Sequence, residues 1–156
     1  MVINVRQATM QNEFEQLLEA LGSLLNTTLT PDSNQACLIR FSHTNVPVQL
    51  EQGNTSGDLA VATLLGLLPD NVFRERIFKA ALSVNGSPQS NIKGILGYGE
   101  ISQQLYLSDI LSMNYLTGEK LFQYLTLFSQ HAKIWMEALE TGNLPDLHVL
   151  GIYYIS

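Results

Sequence analysis

Between Ala36 and Leu67 three β-like runs stand so close together that no crossover element fits between them. The first is Ala36–Phe41 and the second is Val46-Pro47-Val48-Gln49-Leu50-Glu51. The third, Leu59–Leu67, is entered through the turn-forming stretch Gly53–Asp58. Parallel neighbours need a connection of about a dozen residues or more, so these runs are expected to pair antiparallel. Pro47 has no N–H to donate, which places the second run at a strand start or an edge. A further hairpin is expected from Ile92–Gly99 and Gln104–Asp109, turning through Glu100–Gln103.

Three helical patterns frame these runs. Phe14, Leu17, Leu18, Leu21, Leu24 and Leu25 recur at three- and four-residue steps, and Asn12 with Glu15 three residues on suits the N-terminal cap. The segment Asn26–Asn34 reads as loop. The last helix is expected over about Thr117–Thr141, with Leu121, Leu125, Phe128, Ala132, Trp135 and Leu139 on one stripe. Gly142 ends it and Pro145 prevents its resumption. The middle helix starts from Leu68-Pro69-Asp70-Asn71 and closes at Asn85-Gly86, a pair suited to a left-handed C-terminal cap. Phe73, Ile77, Ala80, Ala81 and Val84 share one face of it, while Val72, Phe78 and Leu82 point elsewhere. A helix apolar on more than one side must be covered from more than one direction, and a twin subunit would supply the second cover.

The element order is therefore α-β-β-β-α-β-β-α: an α/β (α+β) chain, mainly antiparallel, expected to form a single domain over 1–156 with its core at about 10–141. The tail 143–156 is apolar and β-prone from Leu147 to Ser156. It has four open destinations: a client groove, the dimer, a sheet edge, or its own last helix.

Charge narrows the function. A net charge of −6 with only 8 Lys plus Arg and no basic run excludes a nucleic-acid binder. Only 14% of residues are charged, against about 25% in an average globular protein, so the surface is weakly protected against association. No signal-peptide core or membrane span is expected, and a lone cysteine, Cys37, fits a reducing cytoplasm. His43, His131 and His148 have no metal-type spacing, and Cys37 sits among apolar strand residues, so no metal, cofactor or catalytic group is expected. Gly97-Tyr98-Gly99-Glu100-Ile101-Ser102 carries serine where a dinucleotide loop needs its third glycine, and a strand follows it. These glycines are read instead as sites of a bulge, a twist or a close backbone approach. Glu13, Glu15 and Glu19 form a solvated face opposite the leucines.

The ordered series of segments carries a resemblance. Phe14-Glu15-Gln16-Leu17-Leu18-Glu19-Ala20-Leu21-Gly22 comes first, then Val48-Gln49-Leu50-Glu51 and Leu59–Pro69. Ala81-Leu82-Ser83-Val84-Asn85, a glycine-containing hairpin with Leu105-Tyr106-Leu107, and a helix with Phe128, Ala132 and Trp135 follow. From about Phe14 to Glu140 this series resembles the class I type III secretion chaperones, the Tir-chaperone (CesT-like) family of small acidic bacterial cytoplasmic proteins. The resemblance implies a homodimer of subunits with five strands and three helices. It further implies non-enzymatic binding of the N-terminal segments of secreted effector proteins in extended form, and the secretion-apparatus ATPase as a further partner. The middle helix, through Val72, Phe73, Ile77, Phe78, Ala81 and Leu82, is then the expected two-fold interface. Phe14, Leu17, Leu21, Ile39, Phe41, Val48 and Leu50 are the expected effector-binding residues. The alternative is a chaperone-like domain acting as a regulator on a folded partner.

Overall fold

The computed structural model describes residues 12–151 apart from Ser56 and Pro88. Along the chain stand α1 (Glu13–Leu25), β1 (Ala36–Arg40), β2 (Pro47–Gln52), β3 (Asp58–Leu67), α2 (Val72–Asn85), β4 (Ile95–Gly99), β5 (Gln104–Ser112) and α3 (Gly118–Thr141). The strands form one five-stranded sheet in the order β1-β2-β3-β5-β4. Every neighbouring pair is antiparallel: the short connections require it of β1–β2, β2–β3 and β4–β5, and the β3–β5 pair, joined through α2 and β4, shares it. The β4–β5 hairpin joins the β3 side through its second strand, so β1 and β4 are the two edges.

Side chains of alternating parity divide the sheet into two faces. Cys37, Ile39, Val48, Leu50, Leu59, Val61, Leu65, Leu96, Leu105 and Leu107 point inward and are buried. α1 contributes Phe14, Leu17, Leu18 and Leu21 to the same cluster, and α3 contributes Leu121, Leu125, Phe128, Ala132 and Trp135. From α2 come Ile77, Ala80, Ala81 and Val84. Each helix opens on a side chain that accepts an orphan N–H: Asn12 from Glu15, Asn71 from Arg74 and Thr117 from Lys120.

Three expectations need correction. Asn85-Gly86 does not make a left-handed cap: Gly86 has φ −84°, and its N–H closes the helix onto Leu82 O. The Asn85 side chain is committed elsewhere, to the backbone of Leu96. β4 starts at Ile95, not Ile92, because Gly94 at φ +95° turns the chain before pairing begins. The tail is not a strand where it is described; Leu147–Leu150 is one turn of 3-10 helix. It opens on Asp146, which accepts from His148 N–H, and Leu147 is buried in the core. Tyr153, Tyr154 and Ile155 lie outside the described residues.

Candidate functional site

The side chains expected to hold a client, Phe14, Leu17, Leu21, Ile39, Phe41, Val48 and Leu50, all lie in the interior of the subunit. Their parity is the cause: in β1 and β2 the residues that alternate with them face the other way. On that opposite face Leu38 is 64% exposed, Leu64 60%, Leu67 66%, Ile95 59% and Ile110 62%. Cross-strand register joins this face from edge to edge. Leu38 stands opposite Gln49, Gln49 opposite Ala62, Ala62 opposite Ser108 and Ser108 opposite Ile95. Ala60 with Ile110 and Leu64 with Tyr106 make the flanking rows. At the β1 end a concavity of about 560 Å³ is lined by Asp32, Asn34, Leu38, Gln49 and Glu51 among others.

This face is what sequence parity alone passed over. Its signal was present: Leu38-Ile39 and Leu64-Leu65 place apolar residues on both parities, the mark of a sheet meant to be covered on both sides.

The two sheet edges differ. In β1, Asp32 N–H donates to Ala36 O at 2.8 Å and Ala36 N–H donates to Asp32 Oδ1 at 3.0 Å. Ala36 thus turns its main-chain groups away from β2. Antiparallel alternation gives Leu38 and Arg40 the same outward orientation, and among the described residues no loop or side chain takes theirs.

The second surface is α2. Ile77 and Ala81, expected at a two-fold interface, are buried within the subunit, and Phe73 and Phe78 are half-buried. Val72 at 68% exposure and Leu82 at 71% remain outside. Leu82 and Phe78 border an apolar hollow of about 260 Å³ whose other walls include Leu96, Gly97, Tyr98 and Leu105. Arg74 organises its rim. The guanidinium pairs with Asp70 at 2.6 Å, donates to Tyr98 Oη at 3.2 Å and lies over the Phe78 and Tyr98 rings. Tyr98 in turn donates to Leu68 O at 3.1 Å.

Three titratable groups, Cys37, Tyr124 and His131, are shifted by burial. Burial, with the nearby Asp32 carboxylate, raises the Cys37 thiol above its ordinary range, which disfavours the nucleophilic thiolate. Tyr124 donates to Asp109 Oδ2; burial and that carboxylate push its phenol far above the usual range. His131 is buried between Lys93 O, 2.9 Å from Nδ1, and the Trp135 indole N–H, which donates to Nε2 at 3.0 Å. Among the described residues no three His, Cys, Asp or Glu side chains are placed to hold a metal ion, and no helix is long and apolar enough to cross a membrane. The glycines in and before β4 serve packing: the Tyr106 ring lies against Gly97, and Leu107 and Phe128 crowd Gly94.

Residues 16–136 match the model of the Tir chaperone protein (CesT) family. The chain belongs to the Tir chaperone (CesT) family. The fold agrees with solved chaperone structures. The HopA1–SchA chaperone–effector complex contains a chain that aligns with a TM-score of 0.64 at 17% identity, covering 88% of this chain and 100% of that one. The Yersinia pestis type III secretion chaperone SycH, in complex with a fragment of YscM2, is similar at a TM-score of 0.60 and 19% identity, covering 76% of this chain and 96% of that one. A chain of the Pseudomonas aeruginosa ExoU–SpcU complex aligns at a TM-score of 0.62 and 14% identity, covering 81% and 98%. A comparison with curated protein sequences finds no match.

Proposed function

We propose that this CesT-family chain is a type III secretion chaperone of the bacterial cytoplasm. It binds an N-terminal segment of secreted effector proteins in extended form and keeps them secretion-competent. The observation that carries this reading is a sheet apolar on both faces with helices packed over one of them, leaving Leu38, Leu64, Leu67, Ile95 and Ile110 exposed among the described residues. The solved relatives that share the fold are described in complex with effectors or partner fragments, which supports the same reading. The mechanism is binding without catalysis. Apolar client side chains settle on the outer face, each contributing about 1.5–3 kcal/mol when fully buried. The client backbone adds a strand where Leu38 and Arg40 present free N–H and C=O groups. Ordering a disordered segment consumes part of that energy, so several anchors along a long stretch are required. The core side chains Phe14, Leu17, Leu21, Ile39, Phe41, Val48 and Leu50 then shape the face from beneath without touching the client. The working unit is a homodimer joined through α2, and the ATPase of the export apparatus is a downstream partner that releases the client.

Pull-down from the native cytoplasm followed by limited proteolysis tests the proposal. The expected result is one protected fragment from the N-terminal part of a secreted protein, lost in Leu38→Asp/Ile110→Asp with the chaperone still folded. A bound globular partner that survives the double substitution would overturn it and favour a regulator of a folded protein.

A further inference from the structure

The β4 edge is closed by a side chain. Asn85, the last residue of α2, donates from Nδ2 to Leu96 O at 2.9 Å and accepts Leu96 N–H on Oδ1 at 2.9 Å. Both bonds together reproduce what a neighbouring strand would offer Leu96. Leu96 faces Leu107 across the β4–β5 pair, and its own polar groups turn outward to Asn85. The helix that carries Asn85 also lays Phe78 against Tyr98, ring centroids 4.9 Å apart, so α2 packs beside this edge on the Tyr98 side of Leu96. The β1 edge is treated differently. Asp32 occupies only its first outward position, Ala36, and among the described residues nothing takes the outward groups from Leu38 onward.

We propose that Asn85 is a specificity-determining residue: by occupying Leu96 it confines strand addition to the β1 edge and fixes the side of the sheet on which an extended segment can join. The inference rests on the chaperone reading only for the identity of that segment. Edge closure itself is a property of this chain alone, and an unguarded edge is a template for any strand, a second β4 included.

A test without a client uses a second copy of the chain as the probe strand. Amide hydrogen exchange and sedimentation are measured for the full chain and for Asn85→Ala. In dilute Asn85→Ala the Leu96 amide is expected to exchange at least tenfold faster than in the parent. On concentration the variant should form assemblies larger than the parent's, in which the Leu96 and Tyr98 amides become protected while those of Leu38 and Arg40 do not. Asn85→Leu, which keeps the shape of the side chain and loses both the donor and the acceptor for Leu96, replaces Asn85→Ala if the latter fails to fold, and is read the same way. Unchanged Leu96 exchange with parental size, or assemblies that protect no β4 amide, would overturn the proposal. Neither outcome touches the client reading, which the proteolysis of captured protein decides separately.

Discussion

His131 is the side chain whose charge state the fold most clearly dictates. Its Nε2 accepts the Trp135 indole N–H, so its proton must sit on Nδ1, where it donates to Lys93 O. That single tautomer ties the segment entering β4 to the middle of α3. Burial is the larger influence and lowers its pKa, against a smaller opposing contribution from the Lys93 carbonyl. A histidine whose pKa is lower folded than unfolded binds more protons when unfolded, so acid favours unfolding. Its contribution is complete above the unfolded value of about 6.5 and is lost as pH falls below it. Thermal denaturation from pH 7.5 to 5.5 should therefore give a falling Tm in the parent and a shallower fall in His131→Leu. At pH 7.5 the variant should be less stable by about 2 kcal/mol, since the Trp135 N–H and Lys93 C=O lose their buried partner. Equal slopes for the two proteins would remove His131 from the acid response. Burial of this residue was not legible in the sequence. Its position next to Ala132 on the helix is visible, but the second contact comes from a loop 38 residues away.

At the scale of elements, β4 and its approach are the most demanding part. Gly94 adopts φ +95°, and a Cβ placed there would meet Leu107 Cγ and Phe128 Cε2 at 2.8 Å. Both the backbone conformation and the space oppose a side chain, so Gly94→Ala should cost about 2–4 kcal/mol in chemical denaturation, against a near-neutral result if the hairpin can shift. The close approach was foreseeable from glycine in a β-rich run, although its left-handed backbone was not. Strand existence was legible from the apolar runs, and antiparallel pairing was legible for β1–β2, β2–β3 and β4–β5, where connection length settles it. Two things were not. The insertion of β5 between β3 and β4 is a long-range choice that local pattern does not encode. Parity was ambiguous in β1 and β3, where Leu38-Ile39 and Leu64-Leu65 give either face an apolar partner. The residues expected to bind turned out to be the buried ones, and the alternating residues are those exposed on the other face. Helix α2 shows the reverse case: its excess of apolar faces was readable, but Ile77 and Ala81 spend theirs inside the subunit.

The outer sheet face and the α2 surface, both exposed among the described residues, call for different partners. The outer sheet face is broad and edged by open backbone, which suits an extended chain. The α2 surface is a ridge beside a hollow: Leu82 projects next to the pocket bounded by Phe78, Leu96, Tyr98 and Leu105. A ridge and a hollow on one patch are self-complementary under a two-fold axis, since each copy can place its Leu82 against the other's pocket. Light scattering at micromolar concentration should accordingly return twice the 17.3 kDa of one chain. Leu82→Asp should halve that mass while moving the unfolding midpoint little, because the side chain is 71% exposed in the subunit and its replacement leaves the core intact. The same variant should hold its client more weakly, for a segment wound over two subunits loses half its anchors when they part. A parent of 17.3 kDa would rule out the dimer, and a Leu82→Asp protein still at twice that mass would place the association elsewhere than on α2.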